Sequence, residues 1–250
     1  MRYVERKFIT DHKYVLPIGD IHIGDRAVDY GLLERNLEWA NDNNALIIGT
    51  GDWLNNATLG SKSSPYKQDM DADTQVKKCI ELFTPVKDNV IGIIQGNHEN
   101  RSEKGGHVDP LGAVCLALGC EYLKYSGVIS IIVGTRQKSR AYTFYVHHTT
   151  GGGSTPGGKI NRVDKLRSIV SNADCYLGGH NHSLMVAPVT TRCIDTIHKS
   201  IQEKRQLLVD CGSYVKYDDN YSEMMGLPPV KLGSPRLRLD GTKRDIHASV

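Results

Sequence analysis

The 250-residue sequence has no apolar run near the ~20 residues needed to cross a bilayer, which argues against a membrane-spanning helix. Its opening, MRYVERKFITDHKYVLPIGD, is broken by charges and lacks the apolar stretch of a secretory signal, so a cytoplasmic location is expected. The six cysteines (Cys79, Cys115, Cys120, Cys175, Cys193, Cys211) form no CxxC pair, which predicts buried reduced thiols in place of disulfides or a zinc knot. No Pro, Ser or charge-rich linker divides the chain and no segment repeats, so one domain over residues 1–250 is expected. A net charge of +3 is too small to imply a nucleic-acid partner by itself. Basic residues nevertheless gather at Arg136, Lys138 and Arg140, and again at Lys159, Arg162, Lys165 and Arg167.

What is present is an alternation of strand and helix signals. VLPIGDIH (15–22), ALIIGTGD (45–52) and VIGIIQGNH (90–98) read as buried strands, and residues 29–43 and 71–83 between them carry helical periodicity. Such alternation predicts a mainly parallel sheet, which places ligands beyond the carboxyl ends of its strands. GVISIIVG (127–134) and AYTFYVHH (141–148) read as a hairpin. A helix with Ile160, Val163, Leu166, Ile169 and Val170 inward then precedes DCYLGGHNH, and LMVAPVT and RQLLVDCGSY read as strands of a second sheet.

The strand ends carry polar residues of one kind. Asp20 and His22 close the first strand, Asp52 the second, and Asn97 and His98 the third; His147 or His148 and then His180 and His182 follow. In an extended segment, residues i and i+2 project to one side, so His180 and His182 of GGHNHS (178–183) can aim at one point. Carboxylate, imidazole and amide oxygen together suit divalent transition metals better than calcium or structural zinc.

The blocks GDIH (19–22), GD (51–52), GNHE (96–99), HH (147–148) and GHNH (179–182), in this order, resemble the signature of the calcineurin-like metallophosphoesterases. The resemblance implies an α/β fold of four layers, α/β/β/α, in which two mixed sheets pack face to face between helices. It also implies two divalent transition-metal ions, manganese foremost and iron, zinc, nickel or cobalt as alternatives. Asp20, His22, Asp52 and His182 would hold the first ion. Asp52, Asn97, His180 and one of His147 and His148 would hold the second, with Asp52 bridging. Two ions sharing one carboxylate can activate a bridging hydroxide for in-line attack on phosphorus. His98 would donate to phosphate or protonate the leaving oxygen, with Glu99 as its orienting partner. Adjacent strand residues face opposite sides, so only one of His147 and His148 reaches the metal. The resemblance to relatives with a single histidine three residues before the glycine triplet favours His148, as His148 precedes Gly151, whereas branches of the family that read HHPP favour His147.

GSTPGGKI (153–160) matches GxxxxGK, but Ile160 stands where Ser or Thr should ligate magnesium, so a flexible rim at residues 151–153 is the better reading than a nucleotide loop. The segment from Cys211 onward resembles the ending of phage and prophage relatives, which points to a bacterial or phage-infected host. The expected activity is hydrolysis of phosphodiester bonds in DNA or nucleotides. A phosphomonoesterase or protein phosphatase, and a non-catalytic metal-binding scaffold, are the rivals. The loop 55–69, with Gly60, Ser61, Lys62 and Lys67, and the basic helix 159–167 are the expected approaches for an extended substrate.

Overall fold

The structure is a computed structural model that describes residues 1–250 except 59, 60, 62–64, 107, 152, 219 and 220; of 104–106 and 221 only the backbone is described. Gly60 and Lys62 of the expected entrance loop, and Gly152 of the glycine triplet, lie outside the described residues. In chain order the elements are β1 (Arg2–Ile9), β2 (His12–Ile18), α1 (Tyr30–Asp42), β3 (Leu46–Gly49), α2 (Ala72–Phe83), β4 (Val90–Ile94), α3 (Asn97–Gly106) and α4 (Pro110–Leu118). They continue with β5 (Glu121–Lys124), β6 (Ser126–Gly134), β7 (Ser139–His147), α5 (Pro156–Asp164), β8 (Cys175–Gly178), β9 (Leu184–Asp195), β10 (Ser200–Cys211), β11 (Arg236–Asp240) and β12 (Ile246–Ser249). None of the described helices is long and apolar enough to cross a membrane.

Two six-stranded sheets form, ordered β12-β11-β2-β3-β4-β5 and β1-β6-β7-β8-β10-β9. In the first, β2 to β5 run parallel and β11 and β12 add antiparallel edges. The second mixes parallel pairs (β1 with β6, β7 with β8, β8 with β10) with the β6–β7 and β9–β10 hairpins. Both sheets are therefore mixed, as the motif resemblance implies.

Strand alternation divides the buried side chains into three cores, and three cores separate four layers. Leu16, Ile18, Ile47 and Ile93 pack outward against Leu33 and Leu37 of α1, Cys79 and Phe83 of α2, and Val114 and Leu118 of α4. Val15, Leu46, Ile48 and Ile91 face the second sheet and meet Ile129, Ile131, Phe144, Val146, Leu177 and Val209. Tyr145, Tyr176 and Leu208, on that sheet's far face, pack on Val163 of α5 and on Leu166.

Helix starts follow local chemistry. Asp29, Asp71, Asp109 and Thr155 each accept an N–H three residues on with their side chains, giving α1, α2, α4 and α5 their N-caps. The GxxxxGK match is this last cap: Thr155 takes the Gly158 N–H, Pro156 occupies the first turn, and Lys159 is buried. All six cysteines are free thiols; Cys193 departs from the buried expectation by standing exposed on the edge strand β9.

Candidate metal centre

The carboxyl ends of β2, β3 and β4 meet those of β7, β8 and β10 at one edge of the sandwich, and every strand-end block empties there. Asp20, His22 and His182 converge as one three-residue group, and Asp52, His148 and His180 as another; His22, Asp52 and His98 join them. His22 Nε2 lies 3.0 Å from His182 Nε2, and these nitrogens stand 3.9 and 3.6 Å from Asp20 Oδ1. On the other side His148 Nε2 is 3.1 Å from Asp52 Oδ2 and 3.2 Å from Asn97 Oδ1, and His180 Nδ1 is 2.7 Å from the same amide oxygen. All residues expected to ligate meet here except His147.

His147 and His148 are divided by the strand pleat. His148 is buried inside the centre, whereas His147 faces the outer side of the sheet towards Arg162 and Leu166, so His147 is corrected from ligand candidate to neighbour of another cavity. Glu99 also takes a different place. Its buried carboxylate accepts the N–H groups of Asp52 (3.1 Å), Leu54 (3.0 Å) and Gly96 (2.8 Å), which ties the GD loop to the start of α3. The groups that meet the His98 ring are instead the Asn55 carbonyl, Arg101, Asp52 and the edge-on ring of His22. GNHE does not continue its strand, because Asn97 opens α3 and the Asp52 carboxylate accepts the His98 N–H at 2.8 Å, an anion at a helix N-terminus.

Backbone strain gathers at the same place. Asp20, His22, Asp52, His180 and His182 have φ of 48°, 58°, 53°, 76° and 51°. Each such non-glycine residue costs on the order of 1–3 kcal/mol and persists only when its surroundings enforce it. Here Asp20 N donates to Gly51 O (2.9 Å) and His22 N to Asp52 O (3.1 Å), locking the first two blocks together. Gly96 is glycine because Asp52 fills its side-chain space: a Cβ there would stand 2.1 Å from Asp52 Oδ1.

The donor set fits cations. His148 Nδ1 must donate to the Thr50 carbonyl at 2.8 Å, which leaves the Nε2 lone pair aimed at two oxygens of Asp52 and Asn97. Only a proton or a metal ion relieves that opposition. Burial disfavours charge on His148, but the Asp52 carboxylate outweighs it and raises the ring to about 10, so without metal the proton fills the place. Ser213 Oγ donates to Asp20 O (2.9 Å), so it accepts from His182 Nδ1 (3.2 Å), and His182 turns its Nε2 lone pair towards His22 and Asp20. Burial above all, then the neighbouring imidazoles, holds His22, His180 and His182 below the ordinary histidine range, in the neutral form that ligates.

Two residues escaped the sequence reading. Ser213 fixes the His182 tautomer from beyond β10. Asp210, at the end of the same strand, is fully buried; its oxygens lie beside the Asn181 amide and the Ser183 N–H without a well-formed hydrogen bond. The strand-end pattern of VDCGSY was the available signal for both. Arg136, Lys138 and Arg140 flank the start of β7, the end opposite His147, and so sit away from the centre.

No family model matches the chain, and no curated protein matches it in sequence. Among solved structures it is similar to Vps29 complexed with zinc from Entamoeba histolytica, at 14% identity and TM-score 0.42 over 94% of this chain and 97% of that one. It is similar to the calcineurin-like phosphoesterase YfkN from Bacillus subtilis, at 10% identity and TM-score 0.41 over 96% and 90%. A conserved uncharacterized protein from Streptococcus pneumoniae, described as a predicted phosphoesterase, gives 10% identity and TM-score 0.37 over 95% and 88%.

Proposed function

We propose that the chain is a metal-dependent phosphoesterase that cleaves phosphodiester bonds, with DNA or nucleotides as the substrate class. The observation that carries this reading is the pair of ligand groups, Asp20–His22–His182 and Asp52–His148–His180 with Asn97, joined through Asp52 and His22 and flanked by a histidine that belongs to neither. Two divalent cations, manganese foremost, would supply Lewis-acid chemistry: neutralising phosphate charge and activating water.

The remaining tasks fall to the chain. His98 is oriented by the backbone of the GD loop, since Nδ1 lies 2.6 Å from the Asn55 carbonyl and must donate there. Nε2 is thereby the working nitrogen, 3.8 Å from Asp52 Oδ2. Protonated, it gives the leaving oxygen a proton; neutral, it takes one back. Arg101, 3.2 Å from the anchored nitrogen, sets positive charge beside the ring. Burial first, with Arg101 adding to it, holds His98 below the ordinary histidine range, while Asp52 opposes; the negative charge of a bound phosphodiester would push it back up.

The test is turnover by manganese-loaded protein on bis-p-nitrophenyl phosphate, p-nitrophenyl phosphate, single-stranded DNA and duplex DNA. Metal-dependent cleavage of the diesters above the monoester is expected. Preference for the monoester transfers the reading to a phosphomonoesterase, and no turnover with any of several metals leaves the metal-binding scaffold.

A further inference from the structure

On the outer face of the second sheet, a cavity of about 180 Å³ opens beside the metal centre, bounded by His147, Thr149, Thr150, Arg162 and Lys165. Leu166 and Ile169 form its apolar wall, and no acidic side chain lines it among the described residues. Asp164, the acid of the same helix, is paired with Arg167 at 2.9 Å. His147 also has a buried Nδ1 without a hydrogen-bond partner. The chain passes from His148 in the centre to Thr150 at the cavity in two residues, at most ~7 Å of backbone. Arg162 braces this crossing: it donates to the Thr150 carbonyl and packs where a Cβ of Gly151 (φ 81°) would stand.

We infer that this cavity is a second phosphate subsite, in which Arg162, Lys165, His147 and the Thr150 hydroxyl receive a phosphate of the nucleic-acid strand whose neighbouring phosphate occupies the metal centre. A guanidinium, an ammonium, an imidazole and a hydroxyl bring positive charge and donors to one place, which suits the several acceptor oxygens of phosphate. Leu166 and the 57%-exposed Ile169 provide an apolar surface for the attached sugar or base. The assignment revises the expected basic approach along α5. Lys159 is buried and turned towards Asp210, while the half-buried Arg162 and the exposed Lys165 carry their charge three and six residues on. The choice of nucleic acid as ligand rests on the phosphodiesterase reading, but the cavity does not depend on the metals.

The test therefore measures binding apart from turnover. Chelator-treated protein is titrated with fluorescent oligothymidylate over a range of salt, comparing parent, Arg162→Gln/Lys165→Gln, and Arg192→Gln/Lys199→Gln, which removes equal charge from the exposed end of the β9–β10 hairpin. The subsite variant is expected to bind at least fivefold more weakly, with a salt slope shallower by about 0.7, the value for one phosphate contact on a single strand. The hairpin variant should match the parent. With metal restored, the ratio of kcat/KM on oligothymidylate to that on the aryl diester should fall by a similar factor. Lys165→Gln alone, at an exposed side chain, should show a smaller loss of the same sign and guards against loosening of the glycine loop. Equal weakening in both double variants, unchanged binding in the subsite variant, or no oligothymidylate binding by the parent overturns the inference. A parent that hydrolyses no phosphoester removes the catalytic reading, and the metal-free comparison still decides the subsite.

Discussion

Replacing Gly96 by alanine puts a methyl group into the space of the Asp52 carboxylate. The added carbon would lie 2.1 Å from Asp52 Oδ1 and 2.6 Å from Asp52 N, where real contacts essentially never fall below 3.0 Å, so Asp52 must retreat by about 0.9 Å (3.0 less 2.1). That retreat breaks the 2.8 Å bond from His98 N to Asp52 Oδ1, worth about 1.5–3 kcal/mol for a charged acceptor. Overpacking adds roughly 1–3 kcal/mol. Asp52 belongs to the group with His148 and His180 and also meets His22 and His98, and a misplacement near 1 Å commonly costs ~10² in turnover. Gly96→Ala should therefore lower kcat/KM on the aryl diester at least ~100-fold, weaken manganese binding by calorimetry, and reduce Tm by roughly 5–15 °C. Gly157→Ala is the control: a Cβ there meets nothing within 4 Å, and in α5 it should leave activity unchanged with a gain of at most ~1 kcal/mol. Parental metal affinity and turnover in Gly96→Ala would refute the assignment of Asp52 as the shared ligand.

His98→Ala should retain the metals, measured by elemental analysis, yet lose about 10²–10⁴ in kcat; equal turnover at matched metal content would return His98 to a packing role. Ser213→Ala should weaken cation binding by roughly 10–100-fold in calorimetric titration, because His182 loses the acceptor that sets its tautomer. Manganese at about 100 times its Kd should stabilise the parent by about 2.7 kcal/mol in thermal melts, and Asp52→Asn should abolish most of that gain. Asp210 is raised to about 8, chiefly by burial, against 3.8 when unperturbed. Its contribution to stability is thus fully present below pH 3.8 and lost as pH rises to about 8, so metal-free Asp210→Asn should exceed the parent in Tm by more at pH 8 than at pH 5. A pH-independent difference would mean that Asp210 is ionised throughout.

The site was legible because its chemistry sits at strand ends, where short apolar runs stop at Asp, Asn or His. The runs before Asp20, Asp52 and Asn97 are strongly apolar, and each became a parallel neighbour in one sheet. Residues whose role depends on which atom they present were less legible. Glu99 reads as an acid beside a catalytic histidine, but its carboxylate is consumed by three backbone N–H groups of loops that only the fold brings near. Asp210 and Ser213 stand at a strand end too, yet no motif block marks them, and their partners Asn181 and His182 lie about thirty residues earlier.

Elements without a buried stripe were the ones that composition hides. β1, RYVERKFI, pairs parallel with β6 over its whole length, but only Val4 is buried and Phe8 half-buried, because one side of this edge strand faces solvent. Its charges defend an exposed edge, so a helical or strand period cannot emerge from them. Lys159 shows the converse. On sequence it belongs to a basic helix face, yet α5 lies against β10 and carries Lys159 inward towards Asp210, while Arg162 and Lys165 remain outside. Three and six residues thus separate a lysine facing the core behind the candidate metal centre from the two cations assigned to phosphate, and charge counted along the chain could not distinguish them.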